Sequence, residues 1–237
     1  MPSPVRARLC DLSARFGLPP NSAARFETLL ALVAEEPASI TSVRDPQQGV
    51  DVHVADSLVA LELDVVRAAT RIADLGSGAG FPGLALAIAL PEARMTLVES
   101  VGRKAAFLTR TAHTLELRNV AAVTARAESW PEGLGAHDLV TARALAPLGV
   151  VLEYAAPLLQ PGGTLVAWKG RLDRGEAADA AAAANTLGMT TPAQHPVEPF
   201  ADASERVLYL SSKVAATPRT FPRRAGMARK RPLRAST

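Results

Sequence analysis

The sequence predicts an α/β protein in which helices cover both faces of a mostly parallel β-sheet. Two observations predict this class. A glycine-rich turn, DLGSGAGFPG, occupies Asp74 to Gly83, and from residue 71 onward short apolar runs alternate with segments of helix length. Such alternation is typical of parallel sheets, because parallel neighbours need a crossover connection. The 237 residues suffice for one such domain with an extension.

Residues 1–68 are expected to form a helical cap ahead of this sheet. Asn21 and Ser22 can cap a helix that has apolar residues at helical spacing, and Pro37 would end it. Asp45 followed by Pro46 has the composition of a second helix start. The apolar residues after it can continue as one or two helices.

The sheet itself is expected within residues 69–213. The predicted strands are 72–75, 95–99, 120–124, 138–143 and 164–169, followed by extended segments at 189–195 and 207–211. The predicted helices are one that follows Gly83 and those at 103–117, 148–159 and 176–187. The sequence PGG at 161–163 is predicted to be a turn that precedes the fifth strand. Because no helix separates the last two segments, we expect them to close as an antiparallel hairpin at one edge.

The turn at Asp74 to Gly83 predicts a nucleotide-type site, where backbone meets the ligand. Its glycines also fit the GxGxxG spacing of dinucleotide-binding proteins, which is a weak signal. Asp74 stands two residues before Gly76, which gives acidic-x-Gly-x-Gly-x-Gly, the loop that is typical of S-adenosylmethionine-dependent methyltransferases. A carboxylate suits the ammonium of that cofactor and would repel a pyrophosphate. Alternatively, Asp74 satisfies backbone amides and the glycines only allow close packing.

Glu99 ends the second predicted strand, about twenty residues beyond the glycines. A carboxylate at this position can accept hydrogen bonds from both ribose hydroxyls. Ribose occurs in both candidate cofactors, so Glu99 indicates an adenosine-containing ligand without choosing between them.

Composition excludes several classes of protein. Cys10 is the only cysteine, so the chain can form neither an internal disulfide nor a multi-cysteine zinc site. The first residues lack the apolar core of a signal peptide, and no apolar run reaches the length of a bilayer span. We expect a cytoplasmic monomer that binds neither membrane nor metal.

Charge is distributed unevenly along the chain. The net charge is +3, yet from Val207 onward there are eight Lys and Arg residues and no acidic residue. A basic tail, assigned here to residues 214–237, favours a polyanion such as nucleic acid as partner. The alternative is a solvated, disordered tail. The prolines among its charges favour a tail that is ordered on RNA or on its own body.

Eight segments together resemble one family, the bacterial small-subunit (16S) ribosomal RNA guanine-N7 methyltransferases, also known as the glucose-inhibited division protein B family. The segments are SITSVRDP at 39–46, HVADSL at 53–58, DLGSGAGFPGLALAI at 74–88, LVESVGRKAAFL at 97–108, ARAES at 125–129, HDLVTARALAPL at 137–148, LLQPGGTLVAWKG at 158–170 and TPRTFPRRAGMARKRPL at 217–233. The resemblance implies a Rossmann-like class I methyltransferase with a seven-stranded sheet, S-adenosyl-L-methionine as cofactor, and 16S ribosomal RNA or the small ribosomal subunit as partner.

The same resemblance implies that cofactor contacts come from Gly76, Phe81, Ala127, Glu128 and Arg143. Asp74 and Gly78 in the glycine-rich turn and Glu99 at the end of the second strand are further candidate cofactor-binding residues. This family often has Asp where the chain has Glu99, a difference of one methylene that should preserve the hydrogen bonds.

Guanine N7 has a free lone pair, so its methylation needs no general base, and alignment becomes the main task of the enzyme. Arg143 and Lys169, both at strand ends, are candidates for positioning the substrate. Arg143 could equally be a salt-bridged arginine of the strand end. His53 and Asp56 lie about one helical turn apart and could form a substrate-side pair or a bond within the helix. We therefore assign no catalytic residue beyond these candidates.

Three alternative functions are also compatible with the sequence. The first is a methyltransferase with another acceptor, and the second is an NAD-dependent oxidoreductase. The third is an RNA-binding module that has lost catalysis. Against the first stands the basic tail, whose deletion after Lys213 is expected to spare cofactor binding and reduce activity on RNA.

Overall fold

The computed structural model describes residues 3–37, 40–201, 203 and 205–235. Ser39, at the start of the SITSVRDP segment, and the outermost residues of the predicted cap and tail lie outside this range. Seven strands form one sheet: β1 Arg71–Leu75, β2 Arg94–Glu99, β3 Val120–Thr124, β4 His137–Arg143, β5 Leu159–Lys169, β6 Ala193–Pro196 and β7 Val207–Ser212. The helices are α1 Pro4–Phe16, α2 Ser22–Glu35, α3 Pro46–Gly49, α4 Asp56–Leu58, α5 Asp64–Arg67, α6 Gly83–Ala89, α7 Gly102–Thr114, α8 Leu148–Ala155, α9 Arg174–Leu187 and α10 Met227–Lys230.

The strand order is β3-β2-β1-β4-β5-β7-β6. Strands β1 to β5 are parallel, whereas β7 lies antiparallel to both β5 and β6. The predicted seven-stranded sheet and its antiparallel edge hairpin are therefore confirmed. Chain order reverses between β1 and β4, and in such open sheets ligands bind outside the carboxyl ends of the strands at this switch point.

The N-terminal segment is helical, as predicted. Asp45 accepts hydrogen bonds from the amides of Gln47 and Gln48, which confirms the predicted cap of α3. Asn21 precedes α2 as expected, but its backbone is left-handed and its side chain caps nothing. After α3 the chain stays helical through a π-helical turn, Val50–Ala55, then α4 and a short 3-10 helix. This continuous segment delivers its side chains to the carboxyl end of β4.

Two hydrophobic clusters hold the layers together. One joins the N-terminal helices to one sheet face and contains Phe26, Leu30 and Leu84. The other joins α8 and α9 to the opposite face and contains Val151 and Ala183. All seven residues of α6 are buried, which explains why this helix is apolar all round.

Because the cap shares a core with the sheet, we propose that residues 1–68, 69–213 and 214–237 are subdivisions of one folded unit. No helix in the described part of the chain is long and apolar enough to cross a membrane.

Candidate functional site

The glycine-rich turn follows β1 and lies at the carboxyl ends of the central strands. Gly76 has a φ of +68°, a conformation that glycine adopts readily. Its amide donates to the Val98 carbonyl oxygen at 2.8 Å, which attaches the turn to β2. A Cβ on Gly76 would lie 2.6 Å from Cδ1 of Leu145 in the loop after β4. Position 76 therefore favours glycine for its backbone conformation, and a larger residue would also displace the Leu145 side chain.

Glu99, at the end of β2, fixes the same turn. Its Oε2 accepts from the Gly78 amide at 3.0 Å and its Oε1 accepts from the Val101 amide at 2.8 Å. The side chain is buried. An ionised carboxylate has about four acceptor positions, so both oxygens can still accept a further hydrogen bond.

Asp74 lies beneath the turn and has no exposed surface. Its Oδ1 accepts from Thr141 Oγ1 at 2.8 Å, whereas Oδ2 is buried without a hydrogen-bond partner among the residues the structure describes. Burial raises the pKa of Asp74 to about 6, against the opposing influence of the Thr141 hydroxyl. A cationic group nearby would stabilise the charged form of this buried carboxylate, whose second oxygen has no partner.

Two adjoining cavities meet at Gly76. One, of about 220 Å³, is lined by Ala127 and Glu128 together with Gly76. The other, of about 210 Å³, is lined by Phe81 and Arg143 together with Gly76. Of the predicted cofactor residues, the first cavity therefore has Ala127 and Glu128, the second has Gly78, Phe81 and Arg143, and Gly76 borders both. Asp74 and Glu99 line neither cavity. We call the two cavities the inner and the outer cavity, respectively.

Phe81, His53 and Arg143 form a cluster at the wall of the outer cavity. The rings of Phe81 and His53 are stacked, with centroids 4.6 Å apart and planes within 10°. Arg143 Nη1 donates to Asp56 Oδ2 at 2.7 Å and to the Val52 carbonyl oxygen at 3.0 Å. His53 and Asp56 are brought together, but both contact Arg143. The strand-end arginine is therefore both salt-bridged and part of the cavity wall.

His53 is held as a neutral imidazole. Burial lowers its pKa below the ordinary value of 6.5; the Val43 carbonyl opposes this, and the Arg143 charge adds to it. Nε2 lies 3.1 Å from the Val43 carbonyl oxygen, and Nδ1 lies 3.4 Å from Arg143 Nη2. Since the guanidinium can only donate, this geometry assigns the proton to Nε2.

A third cavity, of about 500 Å³, lies beyond Arg143, and we call it the acceptor cavity. His53, Asp56, Trp168 and Lys169 contribute to its lining. Lys169 pairs with Glu176 Oε1 at 2.5 Å. The two candidate positioning residues, Arg143 and Lys169, therefore both face this cavity with a carboxylate partner.

The tail also reaches this region. The Gly226 amide donates to Glu128 Oε1 at 2.8 Å, and Arg229 Nη2 donates to the Leu145 carbonyl oxygen at 2.8 Å. The tail is therefore ordered on its own body, one of the two arrangements expected for it. A separate open cavity of about 720 Å³, near Arg25 and Arg118 at the opposite end of the sheet, contains none of the predicted site residues.

Sequence reasoning missed two features of the site. Arg229 lines the inner cavity, and Trp168 Nε1 donates to the Asp56 carbonyl oxygen at 2.7 Å. The contacts of Arg229 with Leu145 and of Trp168 with Asp56 join residues 84 and 112 positions apart, so no local sequence pattern indicates them. Within the described ranges, no group of three or more His, Cys, Asp or Glu residues is placed to hold a metal ion.

The fold and the crevice at its switch point define a Rossmann-like methyltransferase architecture. A precorrin-6y C5,15-methyltransferase from Geobacter metallireducens has a TM-score of 0.51, covers 67% of this chain and 88% of its own, and is 18% identical. The antibiotic-resistance methyltransferase Kmr has a TM-score of 0.50, with 65% and 92% coverage and 20% identity. At these identities the similarity concerns the fold alone.

Sequence similarity defines the family. The sequence pattern of the family described as rRNA small subunit methyltransferase G matches residues 21–198. A relative with that name from Roseiflexus castenholzii is 43% identical over 82% of this chain and 84% of its own. Another, from Chloroflexus aggregans, is 38% identical over 95% and 97%. The chain belongs to the rRNA small subunit methyltransferase G family.

Proposed function

We propose that this protein transfers the methyl group of S-adenosyl-L-methionine to N7 of a guanine in 16S ribosomal RNA. One observation carries the proposal. Gly76 borders both the inner and the outer cavity, and Arg143 borders both the outer and the acceptor cavity. The two parts of a donor can therefore occupy the inner and outer cavities on either side of the glycine turn. An acceptor base can occupy the third cavity on the other side of Arg143.

The donor would place its adenosine in the inner cavity, beside Ala127 and Glu128, and its methionine in the outer cavity, beside Phe81. Glu99 would accept from the ribose hydroxyls, while Gly76 and Gly78 keep the turn free of side chains. We propose that Asp74 Oδ2 accepts from the donor ammonium, directly or through a water. The unpaired state of that buried oxygen supports this fit. When bound, S-adenosyl-L-methionine supplies a methyl group on a sulfonium sulfur.

The acceptor guanine would enter the acceptor cavity with N7 directed at the outer cavity. N7 needs no deprotonation, so the reaction requires no general base. His53, which is neutral and fixed by contacts at both ring nitrogens, would then serve only as part of the wall. Positive charge develops on the purine during transfer, and an unpaired cation nearby would oppose it. Arg143 and Lys169 are both paired with carboxylates. They can donate to O6 or to phosphate with their charge already compensated.

The RNA would contact five exposed tail cations whose side chains make no hydrogen bond or ion pair within the part of the chain that the structure describes. They are Arg219, Arg224, Lys230, Arg231 and Arg234. Their free charges suit phosphates. N7 lies in the deep major groove of A-form RNA, so the target would be an unpaired or extruded base.

The function is tested by incubating the protein with labelled S-adenosyl-L-methionine and 16S RNA from a strain that lacks the modification, and by identifying the product nucleoside by mass spectrometry. We expect N7-methylguanosine. Another methylated nucleoside, or label on protein only, would contradict the proposal. Lys169→Ala should reduce RNA methylation while leaving donor affinity unchanged. Unaltered methylation would exclude Lys169 from substrate positioning.

A further inference from the structure

The tail is attached to the rest of the fold at several points before it reaches the inner cavity. Lys213, the residue immediately before the tail, donates from Nζ to the carbonyl oxygens of Ala156 and Leu159 at 2.8 and 2.7 Å. Arg223 forms a two-point ion pair with Glu153, whose side chain is 3% exposed. Charge-assisted bonds of this kind are stronger than neutral ones. The tail is therefore a fixed part of the fold, docked along the end of α8.

The docked tail then contacts two parts of the inner cavity. Its Gly226 amide is held by Glu128, and its Arg229 side chain is held by the carbonyl of Leu145. Leu145 is also the residue against which Gly76 packs. Arg229 thus restrains the loop that closes over the glycine turn, and it lines the inner cavity itself.

The chemistry of this wall suits an adenine ring. Tyr154 and Arg229 both line the inner cavity. A guanidinium is planar and packs well against π-systems, and it can also donate hydrogen bonds in its plane. Burial raises the pKa of the Tyr154 hydroxyl, with Glu128 adding to this and Arg229 opposing it. Tyr154 is therefore an uncharged neighbour for a purine.

We infer that the C-terminal tail forms one wall of the inner cavity, in which the adenosine of the donor would lie. Arg229 is then a cofactor-binding residue. This inference rests on the proposed function and gives the tail a second role beside RNA binding. It also reverses the expectation that loss of the tail spares cofactor binding. Removing the tail would open the inner cavity and leave Glu153 buried without its partner.

The test uses the full chain and two ligands, because deletion of the tail would disturb the fold. Isothermal titration calorimetry would measure the affinity of S-adenosylhomocysteine and of 5′-methylthioadenosine, which lacks the amino-acid part. We expect Arg229→Ala to weaken both ligands by a similar factor of about tenfold. The matched control is Lys230→Ala, the next residue in the same short helix, which is exposed like Arg229 but does not line the inner cavity. It should leave both affinities within about twofold.

Each outcome decides the inference. Equal affinities of wild type and Arg229→Ala for both ligands would overturn it, as would a loss confined to S-adenosylhomocysteine, which would place Arg229 away from adenosine. The melting temperature without ligand is measured in parallel. If Arg229→Ala lowers it by several degrees, Arg229→Lys is used, and an unchanged affinity in that folded variant also overturns the inference. Wild-type protein that binds neither ligand would instead contradict the proposed function.

Discussion

Arg143 Nη1 lies 2.7 Å from Asp56 Oδ2, and this ion pair joins the carboxyl end of β4 to the helical segment of the N-terminal cap. The Asp56 side chain is 7% exposed and that of Arg143 18%. Trp168 binds the Asp56 carbonyl from the next strand. One residue of the cap is thereby fixed to two strand ends at the boundary between the outer and the acceptor cavity.

Removal of the Asp56 carboxylate should destabilise the folded protein. We expect Asp56→Ala to lower the free energy of unfolding by about 3–5 kcal/mol, because the mostly buried guanidinium of Arg143 loses its carboxylate partner. Urea denaturation would measure the change. The control is Asp51→Ala, which breaks the exposed pair of Arg8 and Asp51 and should cost less than about 1 kcal/mol. Similar losses in both variants would contradict a special role for the Asp56 pair.

The buried carboxyl of Asp74 predicts a dependence of stability on pH. Its pKa is about 6 in the folded protein and 3.8 ordinarily, so between these values the folded state binds more protons than the unfolded state. The contribution of Asp74 to stability is therefore largest in acid and is lost as pH rises through 6. From pH 5 to pH 8 we expect wild type to lose on the order of 1 kcal/mol relative to Asp74→Asn.

Chemical denaturation of both proteins at the two pH values would measure this difference. His53 and His137 have lowered pKa values because of burial, so they reduce stability as pH falls. They are present in both proteins, and their effect cancels in the comparison. Parallel pH dependences of wild type and Asp74→Asn would rule out a raised pKa at Asp74.

Two glycines that begin helices provide a matched pair of substitutions. A Cβ on Gly83, at the start of α6, would lie 2.4 Å from Leu97 Cδ2 and 2.7 Å from Asp74 Oδ2, whereas one on Gly102, at the start of α7, meets nothing within 4 Å. We expect Gly83→Ala to destabilise by about 1–3 kcal/mol and Gly102→Ala to stabilise by about 0.4–1 kcal/mol. Thermal unfolding would show shifts of opposite sign. If Gly83→Ala did not destabilise the protein, the backbone at Gly83 would have to be able to move away from Leu97 and Asp74.

The salt dependence of RNA binding should report the five exposed tail cations. If each contacts one phosphate of an unpaired strand, they contribute roughly −3.5 to the slope of log affinity against log salt concentration, at about −0.7 per contact. Lys230→Ala should reduce the magnitude of the slope by about 0.7. Filter binding at several salt concentrations would measure it. An unchanged slope would remove Lys230 from the RNA surface.

The order of the elements was predictable from the sequence, but some boundaries were not. Strand β3 has the predicted bounds, because apolar residues and turns delimit it locally. Strand β5 begins at Leu159, five positions before the predicted start, and includes the residues expected to form a turn. The Gly162 amide donates to the Lys213 carbonyl oxygen, and the Lys213 amide donates to the Gly163 carbonyl oxygen. These bonds extend the strand through a partner fifty residues away, which no local propensity indicates.

Other departures are smaller and have local causes. Helix α8 ends at Ala155, ahead of the predicted Leu159, and Pro157 follows shortly after. Of the predicted extended segment 189–195, only Ala193–Pro196 is a strand, and Met189 forms an isolated bridge with Lys213.

The site could be predicted where one motif contains its residues. Asp74, Gly76 and Gly78 share a turn, and Glu99 reaches it because β2 is the neighbour of β1. The contacts of Arg143 with Asp56 and of Glu128 with Gly226 span about 90 and 100 residues. They depend on how the cap and the tail dock, and their residue types alone do not specify a partner.

The ion pair of Arg223 and Glu153 has a consequence for genetics. A nonsense or frameshift mutation after the codon for Lys213 leaves every motif of the sheet intact, yet it leaves a buried carboxylate in α8 without its counter-charge. Such alleles should behave as loss-of-abundance mutations, with little protein in the cell, and not as enzymes that merely recognise their transcript poorly.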